Sequence, residues 1–268
     1  MKFIVFLSLF FKCAFSSFYD LAYSKNTGDT FQVLPDTIPV KVVHLELYDE
    51  ARSRSIPVAL YLPDSASIKQ KMVIFNHGYA ENQGTPYLSY SYLNNFLAQH
   101  GYLVVSIQQD LPTDDPLPMN GNLREKRMPD WENGLQNILF VVKELKFRMP
   151  NLDDKRYSLI GHSNGGDLSM YFATEYPKKI SKVISLDNRR MPLPKLDSLK
   201  VYSLRSNDLP ADEGVLPPPA QQIKHGMTIV TLPNTKHNEM SDETTTEEQK
   251  KEIREYVLKF LEEKVAQK

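Results

Sequence analysis

The segment that decides the fold is residues 157–166, which read Tyr-Ser-Leu-Ile-Gly-His-Ser-Asn-Gly-Gly. The short apolar run at 157–160 is typical of a strand that is buried on both faces of a sheet. A stretch with helical character follows at 167–176. Glycines on both sides of Ser163 let the backbone turn sharply between the two elements. The segment therefore predicts a strand, a tight turn that presents Ser163, and a helix.

Strands and helices alternate along the rest of the chain. Two runs at 42–47 and 57–62 predict an entry hairpin, and short apolar runs predict further strands at 72–76, 103–107, 183–186, 201–204 and 228–232. Apolar stripes at helical spacing occupy 131–145 and 253–261. This alternation predicts an α/β fold with a mainly parallel central sheet and helices on both faces. Because only residues 187–199 separate two successive strands, we expect no cap domain there.

Composition and charge narrow the functional class. The 268 residues are 41% hydrophobic and 24% charged, which is a globular composition. The 32 basic and 33 acidic side chains give a net charge of -1, so the chain offers no basic field for a polyanion. We therefore expect no nucleic-acid partner.

The first residues have the order of a secretory signal peptide. Lys2 is followed by an apolar run at 3–11 and by the small-x-small sequence Ala14-Phe15-Ser16. The run is too short to span a bilayer as a helix, which takes about 20 apolar residues. We predict a signal peptide at 1–17, one domain at 18–268, and an exported protein, secreted or periplasmic, without a stable membrane anchor; a retained anchor is the alternative. The single cysteine, Cys13, lies in this leader, so the predicted mature chain has no thiol for a disulfide, a nucleophile or a metal site.

Ser163 occupies the central position of a G-x-S-x-G sequence, the pattern of a strained turn that exposes a nucleophilic serine. A serine hydroxyl becomes a good nucleophile when an imidazole accepts its proton and a carboxylate orients that imidazole. His237 lies beyond the last predicted strand and before the C-terminal helix, and we predict that it is the base. Of the other histidines, His44, His100 and His225 are interpreted as surface or packing residues, and His162, at the variable position of the motif, as a structural residue.

The acid is expected between the serine and the histidine in chain order, after a strand. Asp208 follows the strand at 201–204 at the shorter distance and is the first choice. Asp212 is the alternative acid. Asp187, at the end of the preceding strand, is a third candidate, although an ion pair with residues 189–190 is its simpler interpretation.

A carbonyl under attack develops an oxyanion, which two backbone N–H groups can stabilise. Asn164, directly after the predicted nucleophile, supplies the first of these groups. The sequence His77-Gly78-Tyr79 follows the strand at 72–76, and its glycine permits a close turn. We predict that the backbone N–H of Tyr79 is the second donor.

Together these residues resemble the α/β-hydrolase superfamily of serine esterase or lipase type, over roughly residues 42–261. The short connection after Asp187 is similar to the lidless branch that includes cutinases, polyester hydrolases and dienelactone hydrolases, although a dienelactone hydrolase would carry Cys at position 163. The resemblance implies these roles: Ser163 as nucleophile, His237 as base, Asp208 or Asp212 as acid, Tyr79 and Asn164 as oxyanion donors.

The predicted function is hydrolysis of carboxylic esters through an acyl-enzyme, on a small-molecule or lipid-like ester. An acyltransferase, thioesterase or peptidase with the same triad is the alternative, as is a non-catalytic binding protein of the same fold. The sequence contains no H-E-x-x-H, no Walker sequence and no G-x-G-x-x-G, so we expect no metal and no cofactor. Oligomeric state is left open.

Overall fold

One eight-stranded sheet organises the chain, in the order β1-β2-β4-β3-β5-β6-β7-β8. The computed structural model describes residues 38–64, 71–150 and 152–264. The strands are β1 (Val40–Asp49), β2 (Arg54–Pro63), β3 (Lys71–Asn76), β4 (Tyr102–Ile107), β5 (Asp153–His162), β6 (Ile180–Leu186), β7 (Lys200–Arg205) and β8 (Thr228–Thr231). β1 and β2 form an antiparallel hairpin and β2 is antiparallel to β4, whereas the pairs from β4 to β8 are parallel. The predicted mainly parallel sheet with an entry hairpin is confirmed.

Helices cover both faces of this sheet. They are α1 (Ser91–Gln99), α2 (Leu123–Lys126), α3 (Met128–Arg148), α4 (Ser163–Glu175), α5 (Pro219–Lys224) and α6 (Glu247–Glu262), with a 3-10 turn at Pro86–Leu88. Because successive strand residues point to opposite faces, Met72 and Ile74 of β3 pack with α3 and α4. Val73 and Phe75 pack with α1 and α6 on the other face. The result is a three-layer α/β arrangement with two apolar cores.

Helix α6 begins at a capping box. The side chain of Thr246 accepts from the backbone N–H of Gln249, and the Gln249 side chain accepts from the backbone N–H of Thr246. These bonds satisfy N–H groups that have no acceptor within the helix. The sequence before α6 thus fixes where the loop carrying His237 ends.

The connection between β6 and β7 contains no helix, so the expected absence of a cap at 187–199 agrees with the structure. Within the described ranges, no helix combines the length and the apolar character that a membrane span requires. The predicted leader at 1–17 and Cys13 lie outside the described residues. The leader and the single domain at 18–268 stay predictions.

Candidate active site

The turn between β5 and α4 is held in a strained shape by close packing. Ser163, the first residue of α4, has a φ of 50°, in the left-handed region that residues other than glycine seldom adopt. A β-carbon on Gly161 would lie 2.1 Å from the carbonyl oxygen of Gly165, and one on Gly165 would lie 2.2 Å from the carbonyl oxygen of Asn76. Only glycine fits at both positions. The glycines of the motif therefore let α4 pack against the end of β3 while Ser163 stays at the turn.

Three side chains from distant parts of the chain meet at the carboxyl edge of the parallel strands. The Oγ atom of Ser163 lies 2.9 Å from Nε2 of His237. The Nδ1 atom of the same imidazole lies 2.6 Å from Oδ2 of Asp187. Both distances are within hydrogen-bond range. The structure thus brings the predicted nucleophile and base together, with a carboxylate on the far side of the ring.

Asp187 is positioned by the end of β6, which it follows directly. Its backbone has a φ of 59°, a conformation that aspartate adopts more readily than most residues. Its side chain is fully buried. The Oδ1 atom accepts from the backbone N–H of Ser206 at 3.0 Å, and Nη2 of Arg205 lies 2.8 Å from it as an ion pair. The turn at the strand end and these two neighbours fix the carboxylate.

The charge state of Asp187 follows from its surroundings. Burial alone would raise the pKa of its carboxyl, but the hydrogen bond with His237 and the positive charge of Arg205 outweigh burial and hold the pKa below its usual value. Asp187 is therefore ionised at neutral pH. An ionised acceptor at Nδ1 keeps the hydrogen of neutral His237 on that nitrogen, which leaves Nε2 free to accept from Ser163.

The predicted acid is corrected by this geometry. Asp208 does reach His237, but its Oδ1 accepts from the backbone N–H at 2.8 Å and not from the ring. At Asp212, the backbone N–H donates to the carbonyl of Arg189 at 2.8 Å. The imidazole partner is Asp187, and the cation beside Asp187 is Arg205. Neither Arg189 nor Arg190 takes the ion-pair role expected for them.

A sequence signal for Asp187 existed. It is the first residue after the buried strand that lies next to β5 in the sheet. The carboxyl ends of neighbouring parallel strands meet at one edge, so a side chain at the end of β6 lies beside the turn at the end of β5. Asp208 follows β7, one strand further away. Sequence order alone did not show which strand neighbours β5.

The region predicted to hold the oxyanion is also assembled. Asn164 lies in the first turn of α4, where backbone N–H groups have no acceptor within the helix. Its side chain accepts from Nε1 of Trp131 at 2.9 Å and donates to Oδ2 of Asp130 at 3.1 Å. These contacts fix the residue that follows Ser163. The role of its N–H as an oxyanion donor stays a prediction.

The loop after β3 lies against the same turn. A β-carbon on Gly78 would lie 2.8 Å from Nδ1 of His162. His77 is buried; its Nδ1 donates to the Gly78 carbonyl at 2.7 Å and its Nε2 accepts from the backbone N–H of Gln109 at 2.9 Å. Tyr79 is held through its hydroxyl, which accepts from the N–H of Leu117 at 3.1 Å. Tyr79 is therefore in the loop that borders the site, and its backbone role stays a prediction.

Asp130, which accepts from the Asn164 side chain, interacts electrostatically with a second acidic group, Asp110. Burial raises the pKa of Asp110 to about 6, with a further contribution from Asp114. Burial and the charge of Asp110 raise the pKa of Asp130 to about 6. Among the described residues, no three His, Cys, Asp or Glu side chains are grouped as metal ligands. The surroundings of the site are thus polar and acidic.

Comparisons with known proteins agree with this architecture. The alpha/beta hydrolase fold family matches residues 71–229. A dienelactone hydrolase from Anabaena variabilis ATCC 29413 aligns with a TM-score of 0.53 and 14% identity, covering 83% of this chain and 97% of that chain. A fungal esterase from Rhizomucor miehei gives a TM-score of 0.60 at 14% identity, covering 85% and 84% of the two chains. The esterase Est22 gives 0.60 at 13% identity, covering 84% and 82%.

At these identities the solved structures show a shared fold and nothing finer. No curated protein sequence matched the chain.

Proposed function

The chain belongs to the alpha/beta hydrolase fold family, and we propose that it is a serine hydrolase that cleaves carboxylic esters through an acyl-enzyme intermediate. The observation that carries this proposal is the line of hydrogen bonds from Ser163 through His237 to Asp187, at 2.9 Å and 2.6 Å. Nucleophile, base and acid stand in the order that activates a serine hydroxyl.

The first half of the reaction follows from this arrangement. Ser163 Oγ attacks the ester carbonyl while His237 Nε2 accepts the hydroxyl proton. Asp187 stabilises the imidazolium that forms, and Arg205 and Ser206 keep the carboxylate in place. The carbonyl oxygen becomes an oxyanion, and we assign its stabilisation to the N–H groups of the residue after the serine and of the loop after β3. Loss of one such donor costs about 3 kcal/mol in the barrier.

The second half returns the enzyme to its starting state. His237 donates its proton to the leaving alkoxide, and the alcohol departs as the acyl group stays on Ser163. A water molecule then attacks the acyl-enzyme while His237 accepts one of its protons. Collapse of the second tetrahedral intermediate releases the carboxylic acid and restores the Ser163 hydroxyl. No cofactor takes part in these steps.

The connection at 187–199 bears on the preferred acyl-chain length. The connection at 187–199 carries no helix that could cover the triad. We therefore expect esters with short or exposed acyl groups to react faster than esters with long chains that need a buried tunnel. A panel of p-nitrophenyl esters from acetate to palmitate measures this preference, and a strong preference for palmitate contradicts it.

A fluorophosphonate probe tests the proposal itself. The wild-type protein should be labelled on Ser163 and should hydrolyse p-nitrophenyl acetate, and Ser163→Ala should lose both. Ser241→Ala is the matched control and should keep both, since among the described residues its hydroxyl hydrogen-bonds to Thr244 alone, at 3.0 Å. A correctly folded wild type that is neither labelled nor active contradicts the proposal and favours a binding protein of this fold.

Product analysis separates hydrolysis from acyl transfer. In the presence of a competing alcohol, a hydrolase releases mainly free acid, whereas an acyltransferase produces the new ester. Export with removal of residues 1–17 is a further proposal from the sequence. The N-terminal sequence of protein recovered outside the cytoplasm tests it.

A further inference from the structure

The ring of His162 links the loop that carries His237 to the loop after β3, directly on one side and through Tyr90 on the other. His162 precedes Ser163 and is 6% exposed. Its Nε2 lies 2.9 Å from the backbone carbonyl oxygen of His237. Its Nδ1 lies 2.7 Å from the hydroxyl of Tyr90. That hydroxyl in turn accepts from the backbone N–H of Gly78 at 3.3 Å. One continuous line of contacts therefore runs from the loop after β3 to the loop that carries the base.

The chemistry of the groups in this line assigns a direction to each of its hydrogen bonds. A carbonyl oxygen only accepts, so Nε2 of His162 carries a hydrogen and donates it to His237. Burial lowers the pKa of His162 to about 4, so the ring is neutral at pH 7 and Nδ1 has no hydrogen. The Tyr90 hydroxyl must then donate to Nδ1, which leaves its oxygen to accept from Gly78. Hydrogen bonds aligned in one direction polarise and strengthen one another.

The backbone of His237 is held from both sides. Its N–H donates to the exposed Asp208 at 2.8 Å, and its carbonyl accepts from the buried His162. If Asp208 is lost, water can accept from the His237 N–H in its place, because that position is exposed. Water cannot reach the buried position of the His162 donor. The contact with His162 is therefore the buried one of the two, and it joins the His237 backbone to Tyr90.

We propose that His162 and Tyr90 are positioning residues, which fix the base loop relative to the loop that supplies the second oxyanion donor. This inference rests on the proposed serine hydrolase function. Neither residue touches the reacting atoms. Their contribution is needed most in the transition state, when the imidazole and the oxyanion donors must act on the same carbonyl. Their loss should lower kcat with little change in KM.

Two substitutions break the same link. Tyr90→Phe removes only the hydroxyl. His162→Gln places an amide N–H near the Nε2 position and so can keep the bond to His237, but it loses the acceptor for Tyr90. Each should lower kcat about tenfold with KM within about twofold, the scale of one neutral hydrogen bond. The double variant should be no slower than either single variant, because the second change removes nothing further.

The matched control is Tyr202→Phe. Tyr202 is also buried and its hydroxyl donates to Glu263 at 2.6 Å, away from the site. It should lose stability and keep kcat. Thermal unfolding of each variant separates the two effects. The proposal is overturned if folded Tyr90→Phe and His162→Gln proteins keep the wild-type kcat. It is also overturned if kcat falls only as much as the unfolded fraction rises. A double variant whose loss of kcat is the product of the two single losses overturns it as well.

A second measurement does not depend on activity. Nitrogen-15 NMR of histidine in the full chain should show His162 as the neutral tautomer with its hydrogen on Nε2, and Tyr90→Phe should shift both the His162 and the His237 signals. The proposed line of hydrogen bonds is overturned if His162 carries its hydrogen on Nδ1, or if the His237 signal is the same in Tyr90→Phe as in the wild type. A wild type with the expected spectrum but without esterase activity contradicts the proposed hydrolase function and still supports the line of hydrogen bonds through His162 and Tyr90.

Discussion

Replacing Asp187 by Asn tests the site most sharply, because the amide nearly preserves shape and removes only the charge. The structure fixes which way the amide must point. The Oδ1 position accepts from the backbone N–H of Ser206 at 3.0 Å and lies 2.8 Å from the positively charged Nη2 of Arg205. The amide oxygen therefore occupies that position. The amide nitrogen is left at the Oδ2 position, 2.6 Å from Nδ1 of His237.

The consequence is the opposite tautomer of the imidazole. An amide N–H facing Nδ1 forces that nitrogen to accept, so the hydrogen of neutral His237 moves to Nε2 and faces Ser163. Nε2 then has no lone pair for the serine proton. We expect kcat to fall about 10⁴-fold, as for the loss of the orienting carboxylate in a serine triad. This corresponds to about 5 kcal/mol in the barrier.

The assay is p-nitrophenyl acetate hydrolysis at pH 7 with thermal unfolding as a check on folding. Asp208→Asn is the comparison, because Asp208 contacts the backbone of His237 and not its ring. We expect its kcat to fall less than tenfold, within the range of one exposed hydrogen bond. Asp212→Asn should also have a small effect. If Asp187→Asn stays within tenfold of wild type while Asp208→Asn or Asp212→Asn loses several orders of magnitude, the assignment of the acid is refuted.

Three further substitutions probe the fold around the site. Gly165→Ala should lower the free energy of unfolding by about 3 kcal/mol or more, since its β-carbon would lie 2.2 Å from the Asn76 carbonyl oxygen; urea unfolding measures this, and a normal midpoint contradicts the packing. His162→Gln should change the pH dependence of stability: because burial lowers the pKa of His162 to about 4, acid favours the unfolded chain. The wild type should therefore lose about 2 kcal/mol between pH 7 and pH 5 that the variant keeps, and equal pH slopes argue against a buried neutral ring. Thr246→Ala removes the cap bonded to Gln249 and should cost about 1 kcal/mol of stability with kcat unchanged; an altered kcat would show that the cap also positions the base loop.

Local pattern was sufficient for the alternation of strands and helices and for two of the three side chains that the structure brings together, Ser163 and His237. Ser163 is marked by its flanking glycines, which a strained turn requires at those positions and which no other residue type can replace there. His237 is marked by its place between the last strand and the last helix. Strand and helix periodicity is a local property, so the α/β alternation and the parallel sheet could be predicted from residues near each other in the chain.

The acid could not be predicted in this way. Asp187 and Asp208 both follow buried strands, and both reach His237, one at the ring and one at the backbone. What separates them is which strand pairs with β5, together with the left-handed backbone of Asp187 and the Arg205 charge brought beside it by β7. For the same reason the sequence indicates only a structural role for His162, because Tyr90 and the His237 carbonyl are its neighbours only in three dimensions.

The sequence by itself determined the turn at Ser163, the place of His237 and the alternation of strands and helices, because each is specified by residues adjacent in the chain. Tertiary structure decided which carboxylate lies against the His237 ring, which cation pairs with that carboxylate and which hydrogen bonds hold the His237 loop. These depend on the pairing of strands that lie far apart in sequence. Their side chains act within about 3 Å of one another, a distance that only the assembled sheet sets.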